Sequence, residues 1–161
     1  MRLQLIHLGY RVAWRLLWLT APLHRGRGRG VKALLSHDGR VLLVRHTYGP
    51  RCWELPGGGV HRRETPLEGV RREVREELRV ELPEAKLIAV GCGSGRHTKR
   101  MISVFAAELA RADVEPDDRE IERAEWHDPD ALPPSLGWQV AAAVQAWRAA
   151  PTAGAPMELP V

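Results

Sequence analysis

Residues 57–80, Gly57-Gly-Gly-Val-His-Arg-Arg-Glu-Thr-Pro-Leu-Glu-Gly-Val-Arg-Arg-Glu-Val-Arg-Glu-Glu-Leu-Arg-Val80, leave this chain few folds to choose from. A glycine triplet resists regular structure, yet it runs within a few residues into a strong helix start. Thr65 is a suitable N-cap, Pro66 fits the first helical position, and Glu68 closes a capping box back onto Thr65. The pattern predicts a loop passing directly into a helix near residue 65. Leu67, Val70, Val74 and Leu78 then share one stripe, the face to be buried against a sheet. Glu73, Glu76 and Glu77 share a neighbouring face. Residues three and four apart lie roughly 5–6 Å from each other on a helix and repel by a few tenths of a kcal/mol per like-charged pair. A cation relieves that repulsion. Ligands offering oxygen alone suit Mg²⁺ or Mn²⁺, which keeps several waters and shares substrate phosphates.

A Glu-x-x-Glu-Glu run alone is more often an ordinary solvated helix face. The order of the whole segment weighs against that: Gly58, five residues, Glu64, seven residues, Arg72-Glu73-Val74, one residue, Glu76-Glu77, one residue, Arg79-Val80. This resembles the Nudix box of the Nudix hydrolases, the MutT-like pyrophosphohydrolases, at all but one of its fixed positions. The departure is Arg79, where the family has a glycine that ends the helix in a left-handed conformation. An arginine there costs on the order of 1 kcal/mol if the same backbone is kept; otherwise the helix runs on or ends differently.

The resemblance implies an α/β/α sandwich with a mixed β-sheet, and a metal-dependent hydrolase that cleaves the pyrophosphate bond of a nucleoside diphosphate linked to another moiety. Nucleoside triphosphates, nucleotide sugars, dinucleoside polyphosphates and capped RNA all fit that description. It implies that Glu73, Glu76 and Glu77 hold Mg²⁺ or Mn²⁺, with the Gly57 carbonyl often completing the shell. One of these acids, or a further carboxylate, positions or deprotonates the attacking water. Such a fourth carboxylate often precedes a late strand, and Glu120, just before Ile121, is the best match, with Glu122 in reserve. Gly57, Gly58 and Gly59 allow the backbone to approach a metal-phosphate group closely. Glu64 and Arg72 read as an ion pair bracing loop against helix.

Substrate contacts are less sharply encoded. Arg45, His46 and Tyr48 end a predicted strand near the expected pocket, and Trp53 just before the loop serves equally as a base-stacking residue or as core. Arg96 and Lys99, in the basic stretch 91–100, are phosphate ligands if that segment folds over the site and a solvated turn if it does not. The extra motifs that mark NADH pyrophosphatases, ADP-ribose hydrolases and some dinucleoside polyphosphate hydrolases are not found. The resemblance therefore fixes a reaction class and leaves the nucleotide-type substrate open.

The rest of the chain is read around this segment. At 161 residues it holds one domain with a real core. Residues 1–37 carry seven basic and no acidic residues, so the net charge of +4 is concentrated at the N-terminus. Leu3, Ile6, Tyr10, Trp14 and Leu17 recur at helical spacing with Arg11 and Arg15 opposite, predicting an amphipathic helix. It is interrupted by charge and short for the roughly 20 residues of a membrane span. Residues 1–29 are thus divided off as helix and basic linker, packing on the domain, on a second subunit as in a homodimer, or on an anionic membrane surface. Cys52 and Cys92 have no metal spacing, which fits a reduced, cytoplasmic protein, peripheral to the inner membrane face if the helix docks there. No DNA-specific recognition is evident.

Residues 30–150 read as the catalytic domain. Val31–Ser36 and Val41–His46 form strands joined at Asp38-Gly39. Residues 52–55, 86–90, 101–107 and 123–127 are further strands. A second helix starts from Ser135 as N-cap, and residues 151–161 read as an unstructured tail. A second functional reading retains the fold as a non-catalytic nucleotide-binding or regulatory module acting through its basic N-terminal helix.

Overall fold

A computed structural model describes residues 28–95, 98–150 and 155–159. The helix expected over residues 3–19, most of the basic linker, and Arg96 lie outside these residues. The described elements run β1 (Gly28–His37), β2 (Arg40–His46), α1 (Pro66–Leu78), β3 (Lys86–Gly95), β4 (Thr98–Glu108), β5 (Ile121–His127), α2 (Val140–Ala149) and β6 (Met157–Glu158). The strands form one sheet in the order β5-β2-β1-β4-β3-β6. The β1–β4 and β3–β6 pairs are parallel and the others antiparallel. This is the mixed sheet expected from the sequence.

Alternation along the strands divides the core between two faces. Val31, Ala33, Leu35, Leu42 and Val44 face α1 and meet Val70, Val74 and Leu78. Leu34, Val41, Leu43, Ile88 and Val104 face α2 and meet Val140, Ala143 and Val144. One helix covers each face, completing the α/β/α sandwich. Val70, Val74 and Leu78 are fully buried, each worth about 1.5–3 kcal/mol of apolar burial. That burial fixes the rotation of α1 about its axis, and with it the direction of the acid face.

Helix α1 starts as predicted. The Glu68 N–H donates to Thr65 Oγ1 at 3.2 Å, and the Thr65 N–H donates to Glu68 Oε2 at 2.8 Å. The helix also ends where the family glycine would end it: Arg79 takes the left-handed conformation (φ 58°, ψ 28°), its N–H bonded to the Arg75 carbonyl. The arginine keeps the backbone and bears the steric cost. The freed helix carbonyls are taken up by the segment that leads to β5. Glu115 N–H donates to the Leu78 carbonyl at 3.0 Å, and Asp117 N–H to the Glu77 carbonyl at 2.8 Å.

Four boundaries differ from the sequence reading. The strand β1 begins at Gly28, inside the expected linker, because Gly28–Gly30 pair with Arg100–Ile102 of β4. At Gly30 an added Cβ would sit 2.7 Å from Ile102 Cδ1, so a larger residue would require the isoleucine to shift. The stretch 91–100, expected as a flexible loop or the end of a hairpin, is the hairpin end: β3 and β4 remain paired past Val90, from Gly91↔Ile102 to Gly95↔Thr98. The second helix begins at Val140, not Ser135. Ser135 has φ 66° and uses its carbonyl to accept from the Trp53 N–H. Part of the expected tail is ordered, since β6 pairs with Ala89 and Val90 and Leu159 is buried against Gly91. Among the described residues no helix is long and apolar enough to cross a membrane.

Candidate active site

The glycine loop occupies a split in the sheet. β1 and β2 pair only at Ser36↔Val41 and His37↔Arg40. Beyond the hairpin β2 continues against β5, while the facing edge of β1 bonds to the loop. Val31 N–H donates to the Gly58 carbonyl at 3.0 Å and Ala33 N–H to the Pro56 carbonyl at 2.9 Å. On the other flank Val44 and Glu54 exchange both backbone bonds, at 2.8 and 2.9 Å. Residues 54–60 therefore fill the gap between diverging strands, and the expected strand over 52–55 is reduced to single bridges at Trp53 and Glu54.

Of the three glycines, Gly57 is sterically required. Gly57 has φ 127°, and a Cβ there would lie 2.3 Å from the Val31 carbonyl oxygen. A Cβ on Gly58 would lie 2.7 Å from Glu73 Oε1. Gly59 has no protein atom within 4 Å of its Cβ position; its carbonyl accepts from Arg72 Nη2 at 2.8 Å.

Arg72 and Glu64 form the predicted brace, with Nε donating to Oε1 at 2.8 Å. Arg72 and the backbone N–H of His61 hold the Glu64 carboxyl down to about 2. The same guanidinium reaches further than expected, donating through Nη1 to Glu73 at 2.9 Å and to Glu76 at 3.0 Å. Glu76 is largely exposed and Glu73 nearly buried.

Glu77 is 3% exposed, turned beneath the loop, and accepts the Gly57 N–H at 2.8 Å. Burial pushes its carboxyl up to about 7. Lys32 and the Gly57 N–H oppose that rise, and Glu73 and Glu120 reinforce it. Burial also raises Glu120, with Asp117, Glu73 and Glu76 adding to it. Four carboxylates thus share one field, with Glu120 brought in from the segment tied to the C-terminus of α1. Glu122, the reserve, is instead engaged by Arg45 at 3.1 Å and Arg51 at 2.6 Å.

Among the described residues no three acid, histidine or cysteine side chains converge into a ready-made metal cage. Arg72 stands between Glu73 and Glu76, and Glu77 faces Gly57. The donor set nevertheless suits a hard divalent ion: it consists of carboxylates and a backbone carbonyl, and positive charge added there would offset the cost of ionising Glu77 in the interior. The close seat of Glu73 against Gly58 is a cradle that a methyl group would fill. The residues present therefore fit Mg²⁺ or Mn²⁺.

The predicted substrate residues separate. Tyr48 lies in the field of the acids: burial, then Glu120, Glu77, Glu73 and Glu54, raise its hydroxyl far above the usual range and keep it protonated. His46 lies 5.3 Å from Tyr48, ring to ring. Burial and then Lys32 lower His46 to about 4, so it is neutral at physiological pH. Trp53 resolves as core, packed edge-on to His127 at 5.1 Å on the α2 side. The Arg45 guanidinium lies 5.5 Å from the Trp53 ring centre. Of Lys99 the structure describes only the backbone, paired with Ser94.

Lys32 and Glu54 were not singled out from sequence. Lys32 Nζ donates to Glu54 Oε2 at 2.9 Å, to the Leu55 carbonyl at 2.9 Å and to the Gly57 carbonyl at 3.2 Å. The available signal was a lone charge inside the apolar run Val31-Lys-Ala-Leu-Leu.

Comparison with known proteins adds three findings. Residues 24–147 match the family model described as the NUDIX domain. A NAD-capped RNA hydrolase, NudC, of Pseudomonas aeruginosa is 34% identical over 102 residues, covering 63% of this chain and 36% of that protein. An RNA pyrophosphohydrolase of Halorhodospira halophila is 54% identical over 43 residues, 27% of this chain and 23% of that protein. This chain therefore spans well under half the length of either relative. The crystal structure of a MutT NUDIX hydrolase from Burkholderia pseudomallei superposes with a TM-score of 0.69 at 28% identity, over 74% of this chain and 96% of that one.

Proposed function

This chain belongs to the Nudix family, and from that premise we propose that it is a divalent-metal-dependent hydrolase cleaving the pyrophosphate bond of a nucleoside diphosphate linked to another group. The observation that carries the proposal is the Glu77 carboxylate, buried beneath the glycine loop and bonded to Gly57 within the field of Glu73 and Glu120. A buried acid repelled by its neighbours adds nothing to a purely structural helix. It is well suited to receiving a cation.

Glu73, Glu76, Glu77 and the Gly57 carbonyl would hold Mg²⁺ or Mn²⁺, which when bound screens the phosphate charge and lowers the pKa of a water. The residues of the chain do the rest. Glu120, raised above the usual carboxylate range and outside the Arg72 network, is placed to accept the proton of the attacking water. Tyr48, held protonated, can donate a hydrogen bond to a phosphoryl oxygen. Neutral His46 behind it adds no charge to the rim. Arg72 keeps Glu73 and Glu76 from repelling one another while it braces the loop.

The two relatives named above act, by their names, on RNA, in one case NAD-capped, which puts capped RNA first among substrates to test. Nucleotide sugars, nucleoside triphosphates and dinucleoside polyphosphates follow. The basic stretch ahead of β1 is assigned from its sequence to packing on this domain, on a second subunit or on an anionic membrane. Liposome co-sedimentation with and without residues 1–27 distinguishes the last from the others.

Assay of the purified protein with Mg²⁺ or Mn²⁺ against those substrates tests the activity. Glu76→Gln and Glu120→Gln should each lower kcat by about 100-fold or more, the equivalent of several kcal/mol of transition-state stabilisation. Glu122→Gln should lower it far less. Full turnover in the Glu76 variant would remove the metal assignment, and equal losses at Glu120 and Glu122 would remove the choice of base.

A further inference from the structure

We infer that Lys32 is a positioning residue for the proposed reaction: from the opposite side of the glycine loop it fixes the Gly57 carbonyl in the orientation in which that oxygen can serve the divalent ion. The inference rests on the metal-dependent reading above and adds a residue to it from outside the box.

Three observations carry it. Lys32 extends from β1 on the face opposite Val31 and Ala33, and its ammonium group has three protons and three acceptors, in Glu54, Leu55 and Gly57. With every donor engaged and the side chain 12% exposed, it has none left for a substrate phosphate. Its role is internal. The Gly57 carbonyl also stands between two that are bonded to the β1 backbone and is itself turned away from it. The carbonyls of Pro56 and Gly58 accept from Ala33 and Val31, whereas that of Gly57 accepts from Lys32 Nζ. A carbonyl oxygen has two lone pairs, so one bond to Lys32 leaves a second acceptor site.

The third observation is the composition of the loop. A peptide between two glycines meets little steric resistance to reorientation, so the position of the Gly57 oxygen must be imposed from outside. Glu77 holds the N–H of Gly57 on one side of the loop and Lys32 holds its C=O on the other. Glu54, partly buried beside Lys32, supplies the charge that makes an interior ammonium tolerable. Cys52 Sγ donates to the second oxygen of Glu54, which keeps the lysine's anchor in one rotamer.

Mn²⁺ binding to the metal-free protein, followed by the electron paramagnetic resonance of the free ion, tests this without any substrate. Lys32→Met alone strands Glu54, so the informative variant is Lys32→Met with Glu54→Gln, which removes both charges. It should keep the wild-type circular dichroism spectrum and bind Mn²⁺ about tenfold or more weakly, as loss of an outer-shell partner does. A folded double variant with wild-type Mn²⁺ affinity overturns the inference and leaves the proposed function intact; a wild-type protein that binds no Mn²⁺ overturns both. If the double variant does not fold, the test moves to the wild type. The ¹³C resonance of the Gly57 carbonyl should shift on Mg²⁺ titration, and a carbonyl that stays unmoved overturns the inference.

Discussion

Gly57 and Glu77, 20 residues apart in sequence, meet through a 2.8 Å hydrogen bond from the glycine N–H to the buried carboxylate. The bond ties the loop to the acid helix.

The three glycines should respond differently to a methyl group. At Gly58 the Cβ meets only the end of the Glu73 side chain, which can swing away. Gly58→Ala should therefore fold and melt close to the wild type while losing most of its turnover. At Gly57 the Cβ meets backbone at 2.3 Å with φ 127°, so Gly57→Ala should cost about 1–3 kcal/mol or more in stability. At Gly59 space is open and the substitution should be mild. Urea denaturation beside kcat for the three variants checks the order.

Glu77 and His46 give the metal-free protein opposing pH dependences. The Glu77 carboxyl is raised from 4.5 to about 7 in the fold. Its stabilising contribution is complete below about pH 4.5 and is lost as pH rises through about 7. His46 is lowered from 6.5 to about 4, so its contribution is present above 6.5 and lost as pH falls toward 4. Glu77→Gln removes the first effect alone. With chelator present, its stability relative to the wild type should improve by on the order of 3 kcal/mol between about pH 4 and 8. A pH-independent difference in urea midpoints would show that Glu77 does not titrate in this way. Added Mg²⁺ should stabilise the wild type more at high pH than at low, because protons compete for the same oxygens.

Arg79 holds a conformation suited to glycine, at φ 58°, and its ion pair with Asp117 is a loose, partly exposed contact of 4.0 Å. An exposed pair of that length adds little, whereas relief of the left-handed strain is worth about 1 kcal/mol. Arg79→Gly should raise Tm by about 2–4 °C, measured by thermal denaturation, and retain the acids of α1 in place. A lowered Tm would mean that the arginine stabilises the segment carrying Glu120 by more than its geometry indicates.

What could be read from sequence was mostly local. The capping box at Thr65 and Glu68 and the apolar stripe of α1 depend on neighbours three or four residues apart and stand as read; the acids read as one patch are divided, Glu77 turning beneath the loop and Glu76 staying exposed against Arg72. The Glu64–Arg72 brace is nearly as local. Partners set by tertiary structure were harder to see. The hairpin signal at Asp38-Gly39 predicts two paired strands, and nothing in it says that they separate after two residue pairs. The use of Lys32 follows from that separation, because the gap admits Glu54 and the loop to the lysine's face of the sheet. Ser135 looked like a helix cap by residue type, but its carbonyl is claimed by Trp53, which lies far from it in sequence. Leu159 belongs to a segment rich in Pro and Ala and is ordered only because Gly91 leaves room for it.

Since β1 and β2 turn away from each other, the amides of Val31, Ala33 and Val44 are protected by the inserted segment and not by a neighbouring strand. Their hydrogen exchange is therefore a built-in gauge of how well the glycine loop is seated. It can be read one residue at a time in solution before any substrate has been identified.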